Sequence, residues 1–99
     1  MEAGLHDAVM LRDGECFLHK LDSAHVCRDR WGRTHSPYAL DLLTLDHVKD
    51  HAMMGRRAPS DQWHLVAMCW AGNVGGPSRE ERQAERSYLA ALRATGSPS

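Results

Sequence analysis

Residues 42–48 read Leu-Leu-Thr-Leu-Asp-His-Val, so an apolar run ends in the pair Asp46-His47. His64 follows seventeen residues after His47, and Asn73 nine residues after that. These side chains suit one kind of chemistry. An imidazole titrates near neutrality and can take a proton from water. A carboxylate and an amide oxygen suit a hard divalent cation such as Mg²⁺ or Mn²⁺. An activated water, a cation on a crowded phosphate and a stabilised leaving oxygen are what phosphodiester hydrolysis requires.

The elements that must position these residues follow from the surrounding pattern. Residues 40–45 are the apolar lead into Asp46-His47, and residues 63–68 form a second short apolar strand that opens at His64 and runs to Cys69. Neighbouring side chains of a strand point to opposite faces, so Asp46 and His47 reach one ligand only across a bend or a strand end. Gly72, Gly75, Gly76 and Pro77 interrupt any continuous helix after Asn73. Ser78-Arg-Glu-Glu81 reads as a capping box, with a helix running to about Arg93 and Ala84, Tyr88, Leu89 and Leu92 near one face. Upstream, residues 7–11 begin a short helix that ends at Asp13-Gly14. Residues 16–27 read as a loop or hairpin with Leu18, Leu21 and Val26 pointing inward. Residues 28–38 are irregular, with Trp31 read as a core plug rather than a base-stacking platform. Residues 49–62 form a polar loop of the length that usually carries function.

The succession of Asp46-His47 on one strand, a loop, His64-Leu-Val-Ala-Met-Cys69 and then Asn73 resembles the HNH endonuclease motif. The resemblance runs from about Val9 to Leu89. It takes in Arg12-Asp-Gly-Glu-Cys16, Cys27-Arg-Asp-Arg-Trp-Gly32 and Met54-Gly-Arg-Arg-Ala-Pro-Ser-Asp61, pieces similar to small HNH proteins of actinobacterial phages and their hosts. It implies a ββα-metal fold and cleavage of DNA, with His47 as general base and Asp46 and Asn73 as ligands of Mg²⁺ or Mn²⁺. His64 falls where the family usually has Asn and would support the loop or His47. Nicking is the outcome implied for a single site, and a double-strand break would need a homodimer, two visits or a partner.

The resemblance also implies a structural zinc held by two Cys-x-x-Cys knuckles. Here the first reads Cys16-Phe-Leu-His19 and the second Cys69-Trp-Ala-Gly72, so one ligand is missing. Cys16, Cys27 and Cys69 with His19 or His25 would complete a tetrahedral N/S site. His25 and Cys27 share a face if they lie on a strand. The competing expectation is that the three cysteines simply fill the core. Genes of this kind often neighbour DNA-packaging genes. The resemblance therefore also allows a catalytically silent DNA-binding or accessory protein of a phage packaging machine.

Composition bounds these readings. The 99 residues predict one small α+β domain, with a core from about residue 9 to 93 and a frayed tail at 94–99. Apolar content of 42% supports only a modest core, and domains of this size often need a metal or disulfide staple. Three cysteines argue against a closed disulfide framework. No apolar run approaches membrane-spanning length and no signal segment opens the chain, which makes a cytoplasmic location the expectation. Net charge is −1, but residues 28–57 carry Arg28, Arg30, Arg33, Lys49, Arg56 and Arg57 against four acids. Of these, Arg56, Arg57 and Lys49 are the candidate contacts to nucleic-acid phosphates.

Overall fold

Among the described residues, Leu65–Cys69 is the longest fully buried run, with every residue at 0% exposure. A strand reads as a continuous apolar run when both of its faces are covered. In the computed structural model, which describes residues 3–49 and 61–95, helices cover this strand on several sides. The element order is α1 (Ala3–Asp13), α2 (Phe17–Leu21), β1 (Cys27–Arg28), β2 (Thr34–His35), β3 (Leu43–His47), β4 (Leu65–Cys69), α3 (Trp70–Gly75) and α4 (Arg79–Ala94). Helices α1, α2 and α3 all pack on β4. The architecture is a small single α+β domain that closes on a C-terminal helix.

Two antiparallel ladders organise it. β3 pairs with β4 from Leu43↔Cys69 to His47↔Leu65, and β1 pairs with β2 through Cys27↔His35 and Arg28↔Thr34. The β3–β4 ladder extends one step further, with Val48 N–H donating to the His64 carbonyl at 2.8 Å. Helix α3 begins at the residue after β4 ends, so β3, β4 and α3 form a strand–strand–helix succession.

The helices follow their sequence signals closely. α4 opens with the full reciprocal capping box of Ser78 and Glu81. Its apolar stripe buries Leu89 and packs Ala84, Tyr88 and Leu92 on the core. α1 reaches further back than residues 7–11 and stops where Gly14 takes a φ of +74°, a conformation that costs glycine little. Its last residue, Asp13, is 4% exposed and ties three elements together. It pairs with Arg12, accepts the Ala67 N–H of β4 at 2.8 Å and accepts the Tyr88 hydroxyl of α4. A buried carboxylate with this many donors has its polar atoms satisfied.

The segment between Asp13 and β3 departs most from the expected irregularity. Residues 17–21 form a helix, because Phe17 and Leu18 anchor one side of a single turn in the core. Leu21 and Val26, expected inside, are 47% and 56% exposed. Residues 27–35 form a hairpin whose tip carries Trp31 at 70% exposure, so the indole is no core plug. Phe17 takes that place in the core and stacks against Tyr88 with ring centroids 5.2 Å apart. Among the described residues no helix is long and apolar enough to cross a membrane.

Candidate functional site

Three chain segments converge at the cysteines. Cys16 is the residue before α2, Cys27 opens β1, and Cys69 closes β4 and caps α3. His25 lies two residues before Cys27, on the chain entering β1. The ligand atoms of Cys16, His25, Cys27 and Cys69 all lie within 4.8 Å of one another. Tetrahedral zinc with sulfur at about 2.3 Å requires sulfurs about 3.8 Å apart, so a small contraction would close the four donors on one ion. All three cysteines are free and buried. The group is a Cys₃His cluster able to coordinate a metal ion.

The surroundings of the cluster fit that role. Cys69 Sγ accepts from the Gly72 N–H at 3.4 Å and lies 3.5 Å from His25 Nε2, while the Cys69 N–H donates to Cys16 Sγ at 3.3 Å. The Cys16 thiol, His25 and the Gly72 amide together hold the Cys69 thiol down to about 4, against its burial. The Cys69 sulfur and burial push the Cys16 thiol up. Burial and the Cys69 charge push Cys27 up to about 11. One thiolate sits among two reluctant thiols, which is a charge pattern that a divalent cation relieves. Of the two candidate histidines, His25 stands at the cluster. His19 instead pairs with Glu15 at 2.6 Å and packs edge-on against Tyr38.

At Gly72, where the second knuckle lacks its cysteine, a side chain would displace the end of Leu18. A Cβ there would lie 2.6 Å from Leu18 Cδ1 and 3.3 Å from Cys69 Sγ. The close approach of α3 to α2 takes the space, and His25 supplies the fourth donor from another segment. The sequence leaves His19 and His25 open as that donor, and the fold brings His25 to the three cysteines.

The Asp46-His47 pair lies at the other end of the β3–β4 ladder from Cys69. The strand stays regular through His47, so the two side chains take opposite faces and no bend brings them together. Asp46 is 2% exposed and His47 is exposed. The inward carboxylate meets α4, where Arg82 Nη1 donates to Asp46 Oδ2 at 2.8 Å, Glu85 Oε1 at 3.0 Å and the His47 carbonyl at 3.2 Å. Burial and the Asp46 charge push Glu85 up to about 9, so it holds its proton at neutral pH. The trio of Asp46, Arg82 and Glu85 is then electrically neutral.

That protonation has a measurable consequence. A carboxyl whose folded pKa is raised stabilises the fold below its unfolded value, near 4.5, and loses that contribution as pH rises toward 9. Glu85→Gln removes the titration while keeping the shape. Its melting temperature is expected to fall less than wild type's between pH 5 and pH 9, and parallel pH profiles would disprove the protonated state.

On the outer face, His47 opens onto a cavity of about 290 Å³ whose other lining residues are Lys49, Arg82 and Arg86. Arg86 Nη2 donates to Gln83 at 2.9 Å, and its Nε is buried with no hydrogen-bond partner among the described residues. Asn73 sits on α3 against β3, its Nδ2 donating to Thr44 Oγ1 at 2.9 Å and to the Leu45 carbonyl at 3.1 Å. This brings Asn73 to the two residues before Asp46. His64 Nδ1 lies 2.8 Å from Asp61 Oδ1, which also caps the 3₁₀ turn at Gln62–His64 through the Trp63 N–H. Arg56 and Arg57 lie outside the described residues.

Arg82, Glu85 and Arg86 escape the sequence reading. Their signal is Glu85 itself, a charge four residues before Leu89 on the apolar stripe of α4. No protein-family model matches the chain, and neither does any curated protein or solved structure.

Proposed function

We propose that the chain is a zinc-stapled ββα domain that hydrolyses phosphodiester bonds in DNA, with His47 taking the proton from the attacking water. What supports this is one observation: an exposed imidazole at a strand end opens onto a cavity otherwise lined by three cations. A base beside a cationic cradle is complementary to a phosphate and a water. Lys49 and Arg86 hold the phosphate oxygens, and Arg86 has the chemistry for bidentate contact. Arg82 braces the backbone of His47 and so fixes the imidazole at the mouth of the cavity. Arg56 and Arg57 add backbone contacts that give affinity without sequence choice.

Asp46 and Asn73 offer a carboxylate and an amide oxygen, the donor types that Mg²⁺ or Mn²⁺ takes. The hydrogen bonds of Asn73 run through Nδ2, which leaves Oδ1 for a cation. Such an ion, when bound, polarises the phosphate and steadies the leaving oxygen. To serve as a ligand, Asp46 would have to give up the 2.8 Å bond that it accepts from Arg82.

The second reading is a DNA-binding module without hydrolysis, and the neutral Asp46–Arg82–Glu85 trio favours it, because the carboxylate is already satisfied. Zinc-loaded protein incubated with supercoiled plasmid separates the two. Open circles that form with Mg²⁺ or Mn²⁺ and not without them support hydrolysis. Plasmid retention on a gel with no open circles under any cation supports the binding module.

A further inference from the structure

The hairpin joining β1 to β2 carries its largest side chain on the outside. Trp31 is 70% exposed, although indoles bury large apolar areas when they enter a core. The turn beneath it is rigid. Asp29 Oδ1 accepts the N–H groups of Trp31 at 2.9 Å and Arg33 at 3.0 Å. The Asp29 N–H returns to the Arg33 carbonyl at 2.9 Å, Arg28 Nη1 donates to the Gly32 carbonyl at 2.9 Å, and Gly32 takes a φ of +79°. The base of the hairpin is Cys27, inside the Cys₃His cluster.

The tip is also charged. Arg28, Arg30 and Arg33 are exposed, and the one acid among residues 28–33, Asp29, caps the turn through Oδ1 and pairs through Oδ2 with Arg33 Nε at 3.5 Å. The guanidinium carbons of Arg30 and Arg33 lie 5.7 and 5.3 Å from the Trp31 ring centroid. Cations at this distance are drawn to the indole by its quadrupole and hold the ring in place.

We infer that Trp31 with Arg28, Arg30 and Arg33 is a binding site for an unpaired nucleobase and its flanking phosphates. An exposed indole supplies a stacking surface for a base, which every base can use through its π-face. The arginines supply the phosphate contacts on either side. A protein partner would also accept Trp and Arg as anchors. Three guanidiniums within six residues against a single acid, Asp29, which is taken up by the turn and by Arg33, favour a polyanion instead. The choice of nucleic acid rests on the proposed function, but binding at this tip requires no cleavage.

The test is fluorescence anisotropy with zinc-loaded protein and labelled oligonucleotides, in the absence of Mg²⁺ and Mn²⁺. Single-stranded DNA, single-stranded RNA and duplex DNA form the three arms. Single strands are expected to bind more tightly than duplex, and the DNA and RNA arms identify the natural strand. Trp31→Ala is expected to weaken single-strand binding about tenfold or more, the range for loss of one stacked base. Trp31→Phe keeps a ring and should retain most of the affinity. Arg30→Gln with Arg33→Gln should flatten the salt dependence. Unchanged single-strand binding in Trp31→Ala, or an equal loss on duplex, overturns the inference. The exposed indole makes misfolding an implausible cause, and matched circular dichroism spectra check it. Trp31-dependent binding without plasmid nicking overturns only the hydrolytic reading, whereas nicking with Trp31-independent binding overturns only this one.

Discussion

His47→Ala is expected to lower plasmid nicking by about two to four orders of magnitude, the range for a positioned acid–base group. The protein should melt where wild type melts. The imidazole is exposed and belongs to the last residue of β3, so its removal leaves no buried cavity. The measurement is the initial rate of open-circle formation in Mn²⁺, wild type beside variant, with thermal melts of both. Nicking by His47→Ala at the wild-type rate would remove this side chain from the mechanism.

The neighbouring residues need different handling. Asp46→Ala would seem the natural ligand test, but Arg82 and Glu85 would lose the partner they share. Breaking one side of a buried ion pair costs about 3–5 kcal/mol, so lost activity there would report unfolding as readily as lost metal. Asn73→Asp carries a similar burden, since the two groups that receive Nδ2 are oxygens that would then face a carboxylate. His47 is the residue whose substitution separates chemistry from stability most cleanly.

Much of the scaffold was legible because its signals are local. The Ser78–Glu81 box and the apolar stripe behind it depend on spacing along one helix, and α4 follows them. The two apolar runs before Asp46-His47 and before Cys69 pair as one ladder. Long-range choices were not legible in the same way. Trp31 and Phe17 compete for one core, and only three-dimensional packing against Tyr88 decides for Phe17. His19 lies three residues from Cys16 and His25 two from Cys27, but α2 turns His19 toward Glu15 while the approach to β1 turns His25 to Cys69. The inward aim of Asp46 follows from strand alternation. Its partner on α4 does not, because a charged pair on an apolar stripe has no periodic signature that names what it meets.

Removing the metal from the Cys₃His cluster is expected to unfold the domain. The four donors join α2, the chain entering β1 and the β4–α3 junction, so one ion would tie together segments up to 53 residues apart. Structural zinc contributes roughly 10–16 kcal/mol in small domains at neutral pH. Whole domains are stable by only about 5–15 kcal/mol, so little of the fold should survive its loss. Purified protein should contain one zinc per chain by elemental analysis. A strong chelator should abolish the cooperative melt, and added Zn²⁺ should restore it. Cys69→Ser should behave like chelated wild type and His19→Ala like untreated wild type, because His19 lies outside the cluster. Acid should favour loss of the ion, since Cys16 and Cys27 must give up protons that they hold tightly in the metal-free chain. Protein without zinc, melting identically before and after chelation, would make Cys16, Cys27 and Cys69 ordinary core residues. The hydrolytic reading would then stand on His47 and its cationic cavity alone, because no residue of that cavity belongs to the cluster.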